Sequence, residues 1–198
     1  QLADATTGGV WSSSNNNVAT VDATGLVTSV TAGSTIITYT VTNANGCTSS
    51  VSATVNVNAL PSASIAANGS TTFCAGGSVT LVATAGTNYL WNNGQITQSI
   101  TVDTAGTYFT TVTNAAGCSA NSNAITVTVN ALPTAVVTAN GPTTFCQGNN
   151  VLLTATGGTS YVWSTGETTQ SILVSTSENI QVDVTNANGC TSAAANTI

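Results

Sequence analysis

The sequence of 198 residues contains no lysine, no arginine, no histidine and no methionine, and only 3% of it is charged. A typical folded domain is about one-quarter charged. Without a cation the chain cannot neutralise phosphates, clamp a carboxylate bidentately, settle on anionic lipid or form an ion pair between side chains. Nucleic acid and anionic membranes are therefore not expected as partners. Catalysis lacks its materials too. There is no His or Lys to serve as a general base, and no two carboxylates stand at a spacing that suggests a catalytic pair, so the chain reads as no enzyme and calls for no cofactor.

Metal ligands are equally sparse. The acids are Asp4, Asp22, Asp103, Glu167, Glu178 and Asp183, scattered along the chain, whereas Ca2+ takes about six to eight oxygens gathered in one place. With no His and no Cys-x-x-Cys, zinc has no ligand set either. No metal site is expected.

What is present is a folding pattern. Hydrophobic residues make up 41% of the chain, and Val, Ile, Leu and Ala alternate with Thr, Ser and Asn in a way disordered chains do not. The formal charge of −6 discourages self-association, and most of the solubility falls to Thr, Ser and Asn. No apolar run of 18 residues occurs, so no membrane-spanning helix is predicted.

A repeat organises the sequence. Leu60-Pro61 recurs at Leu132-Pro133, Thr72-Phe73-Cys74 at Thr144-Phe145-Cys146, Leu90-Trp91 at Val162-Trp163 and Gly117-Cys118 at Gly189-Cys190, each with an offset of 72 residues. Thr42 to Cys47 matches Thr113 to Cys118 and Thr185 to Cys190. Within the middle copy, period-two alternation predicts strands over Ser78–Thr84, Asn88–Trp91, Gln98–Val102, Thr107–Thr113 and Ala124–Val129. Gly76-Gly77, Asn93-Gly94, Ala105-Gly106 and the Asn-x-x-Gly hairpins supply the turns.

These signals predict an all-β chain of tandem immunoglobulin-like β-sandwich modules, over residues 1–59, 60–131 and 132–198. The outer two are expected to be cut through. Linkers of Asn-Ala-Leu-Pro are short and partly stiff, so the modules are expected to stack end to end as a rod.

The cysteines allow a first assignment. Cys74 and Cys118 are 44 residues apart, as are Cys146 and Cys190, so a bridge inside each copy, Cys74 with Cys118 and Cys146 with Cys190, is the economical reading. Such a loop is worth about 4 kcal/mol in the chain-entropy view. Cys47 matches the second cysteine of a pair, and its partner is expected upstream of Gln1. Disulfides place the mature protein in an oxidising, extracellular compartment.

Residues 10–41, with Val10-Trp11-Ser12-Ser13-Ser14-Asn15, Val18-Ala19-Thr20-Val21-Asp22, Gly25-Leu26-Val27 and Ala32-Gly33, resemble the bacterial Ig-like domain of group 2. The later copies, with Phe-Cys-x-Gly, a Trp strand, Thr-Gln-Ser-Ile and Thr-Asn-Ala-x-Gly-Cys, are similar to Ig-like or PKD-like repeats of giant Bacteroidota surface adhesins, including SprB-type gliding-motility adhesins. That resemblance implies export by type IX secretion and display at the outer cell surface. Asp103-Thr104-Ala105 resembles the O-glycosylation motif of Bacteroidota, which makes Thr104 a candidate acceptor, although it also reads as a turn, as does the sequon Asn68-Gly69-Ser70.

Trp91, Trp163 and Trp11 read as core residues rather than a ligand-stacking platform. Alternating threonines such as Thr38, Thr40 and Thr42 read as half-exposed strands rather than an ice-binding face. The function expected is an extracellular spacer and multivalent adhesion rod that grips surface polysaccharide or other cells and surfaces. Two alternatives stay open: self-assembly into an extracellular filament or matrix fibre through exposed strand edges, and a carbohydrate-binding module.

Overall fold

The computed structural model describes Gln1–Asp4 and Thr6–Ile198, and the described residues form strands and turns with no helix. The first part of the chain carries β1 (Val10–Ser13), β2 (Ala19–Val21), β3 (Val27–Ser29), β4 (Gly33–Thr42) and β5 (Thr48–Val57). The middle carries β6 (Ile65–Asn68), β7 (Thr72–Cys74), β8 (Val79–Ala83), β9 (Asn88–Trp91), β10 (Ser99–Val102), β11 (Gly106–Tyr108), β12 (Thr110–Thr113), β13 (Ser119–Asn121) and β14 (Ile125–Asn130). The last part carries β15 (Val136–Ala139), β16 (Val151–Thr156), β17 (Ser160–Trp163), β18 (Ser171–Val174), β19 (Asn179–Thr185) and β20 (Thr191–Thr197). The chain divides into two compact units, one of residues 1–66, 82–100 and 109–124, the other of 67–81, 101–108 and 125–198.

In the first unit β1, β4 and β5 form an antiparallel sheet, β2 and β3 a hairpin, and β9, β12 and β13 a second antiparallel sheet. The Ser-rich motif has a structural reason. Thr35 is 2% exposed, and its hydroxyl meets Ser13 Oγ at 3.0 Å and Ser14 Oγ at 3.2 Å while accepting the Asn15 N–H at 3.0 Å. A buried hydroxyl is costly unless satisfied, and this cluster satisfies it while fastening the end of β1 to β4. The turn after β2 is closed by Asp22, whose Oδ1 accepts from the Thr24 N–H at 2.8 Å, the Thr24 hydroxyl at 2.7 Å and the Leu26 N–H at 3.0 Å. Gly25 is required there, since its φ is +80° and a Cβ would stand 2.6 Å from the Leu2 carbonyl oxygen.

The predicted strand Thr107–Thr113 is two strands. It breaks at Phe109, so that β11 pairs with β14 and β12 with β9 and β13. Asn92 fills the gap: its N–H donates to the Phe109 carbonyl at 3.1 Å and its Oδ1 accepts the Phe109 N–H at 3.2 Å. The Ala105-Gly106 turn is also displaced, because Gly106 begins β11 with an ordinary backbone.

In the second unit β14 is flanked by β11, antiparallel, and by β7, parallel, with Asn130 opposite Cys74. The Tyr108 hydroxyl donates to the Thr104 carbonyl at 3.0 Å, a tyrosine-corner arrangement. Downstream, β15–β16–β18 and β17–β19–β20 make a sandwich in which β16 faces β19 and β15 faces β20. Its core is Val151, Leu153, Ala155, Trp163, Ile172, Val174, Ile180, Val182 and Val184. Inward residues alternate along each strand, for instance Ile180, Val182 and Val184 on β19, as a half-buried strand requires.

Hydroxyl pairs stand where charged pairs are usual on the outer faces. Thr113 meets Ser119 at 2.8 Å, Thr154 meets Ser171 at 2.9 Å and Thr185 meets Thr191 at 2.9 Å, all directly opposite one another in the ladders. Cross-strand Thr–Thr and Thr–Ser pairs stabilise a sheet by a few tenths of a kcal/mol to about 1 kcal/mol each and, unlike surface ion pairs, are not screened by salt.

Candidate functional site: the Cys74–Cys190 junction

Local geometry sorts the cysteines into two kinds. Cys47, Cys118 and Cys190 end Asn-x-x-Gly-Cys turns. In each, the Asn carbonyl accepts the Gly N–H at 3.0 Å, and the Asn Oδ1 accepts the Cys N–H at 3.0 Å, 3.0 Å and 3.1 Å respectively. The asparagine amide thus folds its own turn, the Asx device that makes this residue favourable at the position. Cys74 and Cys146 instead open a tight turn in which the Cys carbonyl accepts the N–H three residues on, at 2.9 Å from Gly77 and 3.1 Å from Asn149, with Gly76 and Gly148 both at φ 92°.

One cysteine of each kind is bonded. Cys74 is joined to Cys190, with Cα atoms 5.6 Å apart and a sequence separation of 116 residues. This corrects the expected pairing. Cys74–Cys118 and Cys146–Cys190 do not form; Cys118 and Cys146 are free, and so is Cys47.

The reason is where the linker runs. Cys74 lies at the end of β7, beside the last residue of β14, and the Ala75 N–H donates to the Asn130 carbonyl at 2.8 Å. The chain leaves that point as Asn130-Ala131-Leu132-Pro133, and the turn carrying Cys190 grips it. Asn186 Nδ2 donates to the Ala131 carbonyl at 2.9 Å, the Ser192 hydroxyl donates to the Pro133 carbonyl at 2.6 Å, and Cys190 Sγ lies 3.9 Å from the Asn130 carbonyl oxygen. The linker therefore delivers the turn cysteine of one sequence repeat to the strand-end cysteine of the repeat before it. Cys190 is fully buried.

One contact of this grip recurs one repeat earlier, where Asn114 Nδ2 donates to the Ala59 carbonyl at 2.8 Å, while Ala120 at the position of Ser192 offers no hydroxyl to the linker. Cys118 thus occupies a turn tied to the preceding linker by its asparagine, as Cys190 does. Cys146 is exposed beside an open groove of about 350 Å³ lined in part by Thr143, Phe145, Ser175 and Ile198. Residues 144–146 are not a strand, whereas the equivalent 72–74 are β7.

Among the other residues singled out in the sequence, Trp91 is 1% exposed and Trp163 2%. Their indole N–H groups donate to the carbonyls of Thr97 at 2.8 Å and Thr169 at 2.7 Å. Trp11 is half-buried and tilts against Tyr39 with ring centroids 4.6 Å apart. Thr104 is exposed, with its hydroxyl 2.8 Å from the Tyr108 hydroxyl. Among the described residues no group of three or more His, Cys, Asp or Glu is placed to hold a metal ion. Two carboxylates titrate below their usual range: Asp22, held down first by the Thr24 hydroxyl and then by the Leu26 N–H, and Glu167, held down first by the Thr165 hydroxyl.

Comparisons with known proteins place part of this architecture. No curated protein sequence matches the chain. Among solved structures it is similar to a Ca2+-stabilised adhesin that helps an Antarctic bacterium reach out and bind ice, at 18% identity and a TM-score of 0.39, over 96% of this chain and 64% of the other. It thus spans just under two-thirds of that relative. It is also similar to a 1.5-MDa bacterial ice-binding adhesin, at 16% identity and TM-score 0.36 over 96% and 84% of the two chains. A further similarity is to the Bacteroides ovatus mixed-linkage glucan utilisation protein SGBP-B in complex with a heptasaccharide, at 14% identity and TM-score 0.25 over 91% and 55%. None of these likenesses assigns a ligand to this chain. Residues 1–52, which hold the Thr35 hydroxyl cluster and the Asp22 turn, match the family model of the bacterial Ig-like domain, group 2.

Proposed function

We propose that the chain is an extracellular structural and adhesive repeat region, a spacer whose successive repeats, over residues 60–131 and 132–198, are chained covalently to one another. The observation that carries this reading is the Cys74–Cys190 bridge across the Asn130–Pro133 linker. A bridge inside one module would stabilise that module alone. A bridge from one repeat to the next ties the linker into the fold and carries tension past it. Such a bridge persists in an oxidising compartment outside the cell.

The finer reading is that the parent is a giant Bacteroidota surface adhesin of the SprB type, exported by type IX secretion. Its repeats would stack as a rod that grips surface polysaccharide or other surfaces through many weak copies. The family match at residues 1–52 and the repeat motifs support it. The missing cations argue against nucleic acid and anionic membrane as partners and against general acid–base catalysis.

Pulling the chain from its ends in a force experiment tests the spacer reading. With the bridge intact, the 116 residues between the two cysteines are withheld from extension. Adding reductant is expected to lengthen the releasable chain by roughly 400 Å, at the extended length per residue. An unchanged length on reduction would contradict a force-carrying staple at this junction.

A further inference from the structure

We propose that Asn68 and Asn140 are sites of spontaneous deamidation, one at the same place in each repeat, and that the hairpin turns of the fold withhold the other Asn-Gly pairs from the same reaction. The chain holds five such pairs, Asn45-Gly46, Asn68-Gly69, Asn93-Gly94, Asn140-Gly141 and Asn188-Gly189. In each, the electrophile is the asparagine side-chain amide carbon and the nucleophile is the backbone nitrogen of the next residue. Glycine there has no side chain to obstruct the approach. Both reacting groups belong to the pair itself, so no partner residue has to be brought to it.

Exposure does not separate the five, since all of these asparagines are exposed. The glycine N–H does. The N–H groups of Gly46, Gly94 and Gly189 donate to the carbonyls of Asn43, Trp91 and Asn186 at 3.0 Å, 2.9 Å and 3.0 Å. The asparagines are fixed as well. The Asn45 and Asn188 N–H groups donate to Asn43 Oδ1 and Asn186 Oδ1, each at 3.0 Å, and Asn93 Oδ1 accepts the Gln95 N–H at 3.2 Å. Each of these turns must open before the glycine nitrogen can reach the side chain.

Asn68 ends β6, and Asn140, 72 residues on, directly follows β15. No such turn bond holds the Gly69 or Gly141 N–H. The Asn140 N–H does donate to the Leu152 carbonyl at 2.9 Å, but that bond lies on the far side of the backbone bond that has to rotate. There is also room for a ring. A Cβ at Gly141 would meet nothing within 4 Å, and one at Gly69 only a Val79 methyl at 3.9 Å.

The step balances with water as the one co-reactant. The glycine nitrogen, having lost its proton to base, attacks the asparagine Cγ; the N–Cγ bond forms, the Cγ–Nδ2 bond breaks, and ammonia leaves with a proton from solvent. Water then opens the succinimide. Cleavage at Cγ gives Asp, and cleavage at the main-chain carbonyl gives isoAsp, which carries the backbone through the side chain and lengthens it by one methylene. Either product is a carboxylate at neutral pH, so reaction at both sites adds two charges to the formal −6 of a chain that has no Lys or Arg to offset them.

The test incubates the purified 198-residue chain in warm, mildly alkaline buffer, native and in urea, and maps Asp and isoAsp over time by mass spectrometry. Chymotrypsin makes the peptides, because trypsin has no Lys or Arg to cut. In the native chain Asn68 and Asn140 are expected to react about tenfold faster than Asn45, Asn93 and Asn188, the factor set by first breaking the hydrogen bond on the glycine N–H. In urea the five should converge. Asn43→Ala, which removes the Oδ1 that holds the Asn45 N–H, should speed reaction at Asn45 and leave Asn68 unchanged. Equal native rates at all five sites, a lead by any of the three turn asparagines, or native protection of Asn68 and Asn140 while urea exposes them would overturn the proposal, as would an unchanged Asn45 rate in N43A.

Discussion

Cys74 and Cys190 are bonded to one another across 116 residues of sequence, with the carbonyl of Asn130, the residue opposite Cys74 in the β7–β14 ladder, 3.9 Å from the Cys190 sulfur. The end of one repeat, the linker and the β19–β20 hairpin turn of the next repeat thus meet at one point. That junction governs what substitutions there should do.

Removing the bridge should be costly. In the chain-entropy view, closing a loop of this length is worth about 5 kcal/mol, and native bridges in small domains typically contribute about 2–5 kcal/mol. Cys74→Ser should lower the stability of the second unit by that amount in urea unfolding. Reductant should destabilise a C47S/C118S/C146S chain equally and leave C74S unaffected.

Asn186 holds the junction together from the other side, accepting from Asn188 and Cys190 N–H groups and donating to Ala131. Asn186→Ala should cost about 1–3 kcal/mol, because the linker carbonyl and the turn N–H groups lose their partner. It should also slow re-formation of Cys74–Cys190 after reduction, measured by thiol trapping. Asn186→Asp should keep the turn and lose only the donation to Ala131.

Much of this was written in the alternation of the sequence, and the failures are instructive. Strands β8, β9, β10 and β14 fall within a residue or so of where period-two patterning puts them, since one buried face imposes that period. The break at Phe109 is invisible to it. Tyr108, Thr110 and Val112 are buried in strict alternation straight through the interruption, so moving from one sheet to another leaves the pattern intact. The disulfide is illegible for a different reason. In a chain of period 72, a separation of 44 within a repeat and one of 116 to the next repeat fit the sequence equally well. Only the path of the linker distinguishes them.

Trp163 should be the most sensitive core position of the second unit. It is 2% exposed and its indole N–H donates to the Thr169 carbonyl. Trp163→Ala should cost about 3–5 kcal/mol. Trp163→Phe should cost less, keeping most of the ring's burial but leaving the Thr169 carbonyl without its donor, as chemical denaturation would measure.

The Asp22 turn gives a pH prediction. Hydrogen bonds from the Thr24 hydroxyl and the Leu26 N–H favour the carboxylate, so the folded pKa lies below the unfolded one. The stabilisation is fully present above the unfolded pKa and fades as pH falls through the folded one. An NMR titration should find Asp22 titrating below the usual aspartate range, and Thr24→Ala should move it back up. A titration unchanged by T24A would contradict the assignment to that hydroxyl.

The central claim is that neighbouring repeats are stapled to each other, and non-reducing peptide mapping of the oxidised chain tests it most directly. A peptide pair joining Cys74 to Cys190 is predicted. Recovery instead of Cys74 joined to Cys118, together with Cys146 joined to Cys190, would show that each repeat is stapled only to itself and would contradict the account.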